Sequence, residues 1–543
     1  MSLILSYIPD WGVFGQAFLA FLIPVAACSM YKRMYTFVGQ RKNRDSGSTS
    51  KTEQSKQRPP RPFSGNYNDD LRTIREVIGE SDDFHCREFV MQRLNANASL
   101  FYIDGMQNDR MLNLKIMEFL MFEATAENLD SKEKAGPALP FRNLKEAQNL
   151  DDFNRSVLFG HAGLLVEGLA GGLLIELPSG QSRSITEPVS EALLRGPRLG
   201  FSEVLSENTS LLRRQGFCDQ MVIKSYRVGS ELQKDLALAY MKDIVNPDLL
   251  KEVEERISQM DMDFMADSGY VEQLIEDNYL SPFQQVQNTE RPDRVINAMM
   301  EGRIGILLDG SPFALIVPAT FSMLLQSPED YYERWLPSSL LRTLRFAAAF
   351  LALMAPSLYI SFISFHPGLI PTELALSIIE TRQGVPFPPL IEVLILEVSI
   401  EVLREAGIRL PKPIGPAMGI VGGLIIGDAA VQAGIVSPFL VIVIAVTAIS
   451  SFSIPTYSAG ITLRLLRFVG MLFAAFLGMF GTILFFLLLC SHLTKLKSFG
   501  VPYLTPVSPF RIRDWKDLFV RAPLSLMKRR PLMLKTQNTK RKR

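Results

Sequence analysis

The feature that most limits what this chain can become is the stretch from Phe346 to Phe365, 20 residues without one charged side chain. A helix of that length rises about 30 Å, the thickness of the hydrocarbon layer of a bilayer. A second uncharged stretch runs from Phe468 to Cys490, and Ile414 to Pro455 is interrupted only by Asp428 and Gln432. The latter run is about twice the length of one span and must fold back, with the turn predicted near Gly434 to Pro438, where Gly and Pro punctuate it. The chain therefore reads as a membrane protein with about four spans between residues 341 and 495. Pro386 to Glu405 carries too many carboxylates for a lipid-facing helix, and we read it as re-entrant or interfacial.

Flanking charge predicts the orientation. Arg334, Arg342 and Arg345 precede the first span, and the tail from Arg511 to Arg543 holds 12 Lys or Arg against Asp514 and Asp517. By the positive-inside rule both sides are cytoplasmic, which needs an even number of crossings. The basic tail, residues 496–543, reads as a solvated or lipid-headgroup-binding extension. At the other end Trp11 to Tyr31 is uncharged and Lys32, Arg33 and Arg41 follow it, so residues 1–40 are a possible N-terminal membrane anchor. Residues 41–66, rich in Ser, Lys, Gln and Pro, read as a flexible linker.

Residues 67–340 mix periods. Leu71 to Ile78 and Met111 to Met121 have helical spacing, whereas Ser99 to Ile103, Val157 to Val166, Gly172 to Leu177, Gln220 to Tyr226, Leu236 to Tyr240 and Arg303 to Leu308 have strand length. This predicts a cytoplasmic α/β domain of two subdomains with a break near 135–140, followed by the α-helical transmembrane domain. It contains no phosphate loop, dinucleotide fingerprint, nucleophile elbow or HExxH, so we expect neither an enzyme nor a cofactor. A net charge of +1 from 57 basic and 56 acidic residues gives no field for nucleic acid. Cys28, Cys86, Cys218 and Cys490 form no CxxC pair, so no metal site is expected. Arg195 and Arg198 lie in a charged segment, 186–214, that reads either as helix caps and solvated ion pairs or as a subunit contact.

Two patterns in the membrane half carry chemistry. Glu397, Glu401 and Glu405 fall on one helix face, either paired with Arg404, Arg409 and Lys412 or lining a cation vestibule. Between Ile414 and Gln432, Gly415, Gly419 and Gly422 share one face, while Met418, Val421, Ile425, Asp428 and Gln432 share another. A face with an acid and an amide meets either a polar neighbour within the chain or a water-filled axis. In a ring of copies these five residues would line a pore, with Val421 and Ile425 as its apolar gate.

The segments PFPPLIEVLILEVSIEVLREAGIRLPKPIG (Pro386 to Gly415) and VGGLIIGDAAVQAGIVSP (Val421 to Pro438) resemble the signature of the GerA family. Further matches are TEPVSEALLRGPRLGFSE (Thr186 to Glu203), TERPDRV (Thr289 to Val295), EGRIGILLDGSPFALIVP (Glu301 to Pro318) and SFGVPYLTP (Ser498 to Pro506). The resemblance implies an A subunit of a bacterial spore germinant receptor in the spore inner membrane. Such a subunit works beside a transporter-like B subunit and a lipoprotein C subunit, and forms an oligomeric, pentameric, nutrient-gated channel for monovalent cations. The alternatives are an amplifying channel like the related stage V sporulation protein SpoVAF, and a non-conducting scaffold that couples a sensor to downstream release.

Overall fold

The computed structural model describes residues 61–107, 111–125, 143–169, 171–176, 187–188, 190–216, 218–409, 426–511 and 513–541. The expected anchor at 1–40 lies outside them, as do Met418, Val421 and Ile425.

Two sheets with the same wiring make up the first half. In the first, helix α1 (Tyr67–Ile78) precedes strands β1 (Phe84–Met91) and β2 (Ala96–Ile103), and then come β3 (Asn143–Glu146), helix α2 (Leu150–Leu158), β4 (Ala162–Val166) and β5 (Gly172–Glu176). The second repeats this with α3 (Leu205–Arg214), β6 (Met221–Val228), β7 (Lys234–Met241), α4 (Pro247–Ser258), α5 (Ser268–Ile275), β8 (Gln287–Thr289), α6 (Pro292–Glu301), β9 (Ile304–Leu308) and β10 (Ala314–Val317). The strand orders are β1-β2-β4-β5-β3 and β6-β7-β9-β10-β8, antiparallel throughout. Helices α4 and α5 cover one face of the second sheet through Leu249, Val253, Val271 and Ile275, while α3 and α6 cover the other through Leu212, Val295 and Met299. Polar caps set where several helices start, as where Asn66, Asn149 and Asn246 accept backbone N–H groups.

A buried ion pair joins the two sheets. Arg213 of α3 donates to both oxygens of Asp83, at 2.7 Å each, and to the Ser81 hydroxyl. Three sequence expectations change here. The break expected near 135–140 lies outside the described residues, but β2 before it and β3 after it belong to one sheet, and the passage to the second sheet falls between Glu176 and Leu205. Val157 closes α2, so the strand expected from there begins only at Ala162. The linker expected up to residue 66 is already folded at Phe63, whose ring packs edge-on against Phe153.

After the short helices α7 (Phe321–Leu325) and α8 (Glu329–Tyr332) comes a helical bundle: α9 (Trp335–Ser364), α10 (Thr372–Arg382), α11 (Pro389–Arg409), α12 (Pro438–Phe452) and α13 (Tyr457–Lys495). Among the described residues, α9 and α13 are the two helical stretches apolar and long enough to cross a membrane by length and composition. Yet α13 is not one rod. Gly478 has φ 58° and ψ −138°, which no helix tolerates. Phe473 and Phe485 have ring centroids 5.9 Å apart, where a straight helix would separate them by about 18 Å. Thr462 donates to the carbonyl of Pro282 at 2.7 Å and His492 pairs with the hydroxyl of Ser281 at 2.9 Å, so both ends of α13 meet neighbouring residues of one loop. The element is a helical hairpin with arms 457–477 and 479–495, about 31 and 25 Å long.

This hairpin adds a traverse of the bundle that the residue pattern does not show. The turn at residues 433–437 falls where Gly434 and Pro438 predict it. Helix α11, expected to be re-entrant or interfacial, is continuous over 21 residues and lies alongside α12. Its Glu392 accepts the backbone N–H of Ser437 at the start of α12, and its Arg404 lies 4.8 Å from the ring centroid of Phe452 at the end of α12. It therefore runs the whole length of that neighbour. The basic tail folds back onto the chain at several points, with Arg521 and Arg530 buried, while Arg513, Lys516, Lys528, Arg529, Lys535 and Lys540 stay exposed. Arg521 donates to the carbonyls of Asp330 and Glu333, Asp517 holds Arg342 at 2.7 Å, and Gln537 reaches the carbonyl of Val245. Arginines in a sequence show charge, whereas the fold offers these ones buried carbonyls and carboxylates that compete with water and lipid.

Candidate functional site

The acidic face of α11 is met by basic residues far away in sequence. Glu397 is buried and pairs with Arg467 of α13 at 2.6 Å. One turn later the two oxygens of Glu401 face Arg464 at 3.2 Å and Arg404 at 3.4 Å, and Glu405 holds Arg409 at 2.7 Å on the exposed surface. Antiparallel packing of α11 on the first arm of α13 places the i, i+4 carboxylates against the i, i+3 arginines, which makes a ladder. Glu392, on another face of α11, is fully buried between Arg382 and the start of α12. The structure thus brings the three carboxylates of the stripe together, each with a guanidinium. It leaves Glu401 and Glu405 open to solvent.

Asp428 and Gln432 lie on the helical segment 426–432, both exposed, with the Gln432 amide donating to the Asp428 carboxylate at 2.7 Å. Their one-turn spacing explains the bond. Their outward side meets no other side-chain partner among the described residues.

Residues 72–533 match the family described as Bacillus/Clostridium GerA spore germination protein. The chain belongs to the GerA family. It is 40% identical over 476 residues to spore germination protein GerLA of Bacillus cereus, covering 88% of this chain and 97% of that one. To spore germination protein B1 of Bacillus subtilis (strain 168) it is 42% identical over 461 residues, 85% and 95% of the two chains. Among solved structures it is similar to the N-terminal domain of the A subunit of the Bacillus megaterium spore germinant receptor GerK3, at 29% identity and a TM-score of 0.37, covering 49% of this chain and 99% of that one.

Two of the GerA-like segments clasp each other. Glu191 pairs with Arg294 and accepts from Thr289, while Arg291 donates to the carbonyl of Pro197 at 2.6 Å. Pro292 opens α6, as its fixed φ favours. Arg195 and Arg198 stay on the surface, in loose pairs with Glu333 at 3.5 Å and Glu187 at 3.6 Å.

Sequence reasoning missed the joint between the second sheet and the bundle. Residues 281–283 touch both arms of the α13 hairpin, and Phe283 packs with Phe321, Tyr503 and His492. Just before this loop, burial and the charge of Glu276 push the Glu272 carboxyl up to about 7. Glu276 is also raised by burial, although the N–H of Gln285 partly offsets it. No motif marks this loop; its hydroxyl and proline act only through residues about 180 and 210 positions later.

Proposed function

We propose that this GerA-family chain is the A subunit of a spore germinant receptor and that copies of it assemble, as a pentamer, into a nutrient-gated channel for monovalent cations. The observation that carries this reading is the Asp428–Gln432 pair: two polar side chains on an otherwise apolar segment, bonded to each other and open on their outward side. Such a face is costly against lipid and suits a water-filled axis shared by several copies. Met418, Val421 and Ile425 would continue that face towards a constriction. Glu405, the exposed end of the acidic stripe, would face the cation vestibule, whereas Glu397 and Glu401 are neutralised by arginines.

The bundle supports a membrane position. In this reading the two arms of α13 pair as one outward and one return crossing, and an even total, as the flanking charge predicts, leaves the sheets and the tail together on the cytoplasmic side of the spore inner membrane. The nutrient would be sensed by a transporter-like B subunit, with a lipoprotein C subunit completing the receptor.

The test is the reversal potential of the complex reconstituted in a bilayer under a potassium chloride gradient. Asp428→Asn keeps the shape and removes the charge, so selectivity for potassium over chloride should fall while assembly persists. An identical reversal potential in both proteins would remove Asp428 from the pore. The complete absence of ion flux would favour a scaffold.

A further inference from the structure

The ladder between α11 and α13 does not balance. Among the described residues Arg404, Arg464 and Arg467 converge there against Glu397 and Glu401, because Glu405 is taken up by Arg409 on the outer surface. The surplus guanidinium is Arg404. Its side chain is 9% exposed, and its one ionic contact is the 3.4 Å approach to Glu401 on its own helix. Its Nε and Nη2 atoms are buried without a hydrogen-bond partner among the described residues, as is the Nε of Arg467, and the Nε of Arg464 lies 3.2 Å from a Glu401 oxygen without the alignment of a hydrogen bond. A buried charged donor without an acceptor is expensive, and a surplus positive charge among apolar helices more so. The arrangement is complete only when an anion joins it.

We propose that Arg404 and Arg464, flanked by Arg467, bind the phosphate oxyanion of an anionic lipid headgroup. Arginine's planar fork donates two parallel hydrogen bonds, which suits a phosphate, and two such forks facing one carboxylate can share the phosphate's remaining oxygens. Phe452 stacks on Arg404 and fixes the plane of its fork. The same ring is 72% exposed, with Ile449 one turn away also exposed, so the site opens onto an apolar surface where acyl chains would lie. The cluster sits towards the end of the bundle next to the sheets, since Arg464 follows Thr462, which bonds to Pro282. Basic pockets between helices at that level fit anionic headgroups. The inference rests on the bundle lying in a bilayer, and not on its conducting ions.

The experiment measures lipid retention and thermal unfolding of the full-length protein in detergent, with added phosphatidylglycerol, phosphatidylcholine or sodium phosphate. For the wild type, phosphatidylglycerol should be retained in native mass spectrometry and should raise the unfolding midpoint more than phosphatidylcholine. Arg404→Gln should weaken phosphatidylglycerol binding by about tenfold or more, the loss expected for charge-assisted hydrogen bonds. Arg404→Lys, which keeps the charge and loses the fork, should lie in between and serves where the glutamine variant fails to fold. Arg409→Gln should behave as the wild type. An equal shift from sodium phosphate would keep the oxyanion site and overturn the lipid as its source. Unchanged phosphatidylglycerol binding in both Arg404 variants, or none in the wild type, would overturn the site itself and point to an acidic group of a second copy. A protein that retains lipid at Arg404 yet passes no ions would sink the channel and leave this site standing.

Discussion

Replacing Gly478 by alanine distinguishes a hairpin from a rod by the sign of its effect. In a continuous helix the change would stabilise, because alanine gains about 1 kcal/mol over glycine in a helix interior. In the folded chain Gly478 has φ 58° and ψ −138°, a region all but closed to other residues, at a cost of about 1–3 kcal/mol. A Cβ there would also sit 2.8 Å from the ring of Phe365, and overpacking of that kind costs about 1–3 kcal/mol more. The two together destabilise by roughly 2–6 kcal/mol, at least about a thirtyfold change in the ratio of folded to unfolded protein. The assay is thermal unfolding of the full-length protein in detergent, read by a dye that fluoresces on reacting with its half-buried cysteines Cys86, Cys218 and Cys490 as they become accessible, and by protease resistance. Gly481→Ala should act in the same direction, since its Cβ would lie 2.1 Å from the carbonyl oxygen of Phe473. A higher midpoint for Gly478→Ala would refute the hairpin.

Removing one partner of the buried bridge between the sheets, as in Asp83→Ala, should cost about 3–5 kcal/mol and lower the midpoint of denaturant unfolding, because Arg213 is left charged in a site 3% exposed. Glu272 binds a proton more tightly folded than unfolded, so stability should fall as pH rises from about 4.5 to about 7, and Glu272→Gln should flatten that slope in pH-dependent thermal unfolding. Reversing Arg195 and Arg198 to Glu should reduce the yield of crosslinked oligomer while leaving the protomer's unfolding midpoint in place, since both side chains are exposed and loosely paired.

Local pattern carried part of this architecture. The uncharged run at Phe346 to Phe365 lies within α9 but for its last residue, and the strands expected at Leu236 to Tyr240 and Arg303 to Leu308 lie within β7 and cover all of β9. Strand β1 escaped notice because Arg87 and Glu88, consecutive and so on opposite faces, break the apolar pattern. The hairpin escaped for the opposite reason. Residues 468–490 are apolar on both sides of Gly478, and glycine is common in membrane helices, so nothing in the local pattern signals the reversal. With that traverse unseen, the even number of crossings that flanking charge predicts leaves α11 to be read as re-entrant or interfacial. The acidic stripe was legible as a stripe, but Arg464 and Arg467 lie more than 60 residues beyond it, and only the packing of α11 on α13 reveals them.

Pinning both arms of the hairpin to one loop has a mechanical consequence. Ser281 and Pro282 are adjacent, and each holds a different arm. A tilt of the second sheet therefore pushes or pulls both arms in the same direction and cannot splay them. The stroke arrives undivided at the opposite tip, where Gly478 rests against Phe365 at the end of α9. A displacement that begins among the strands is thus delivered as a piston movement past the first helix, with the apolar contact at Phe365 as its stop.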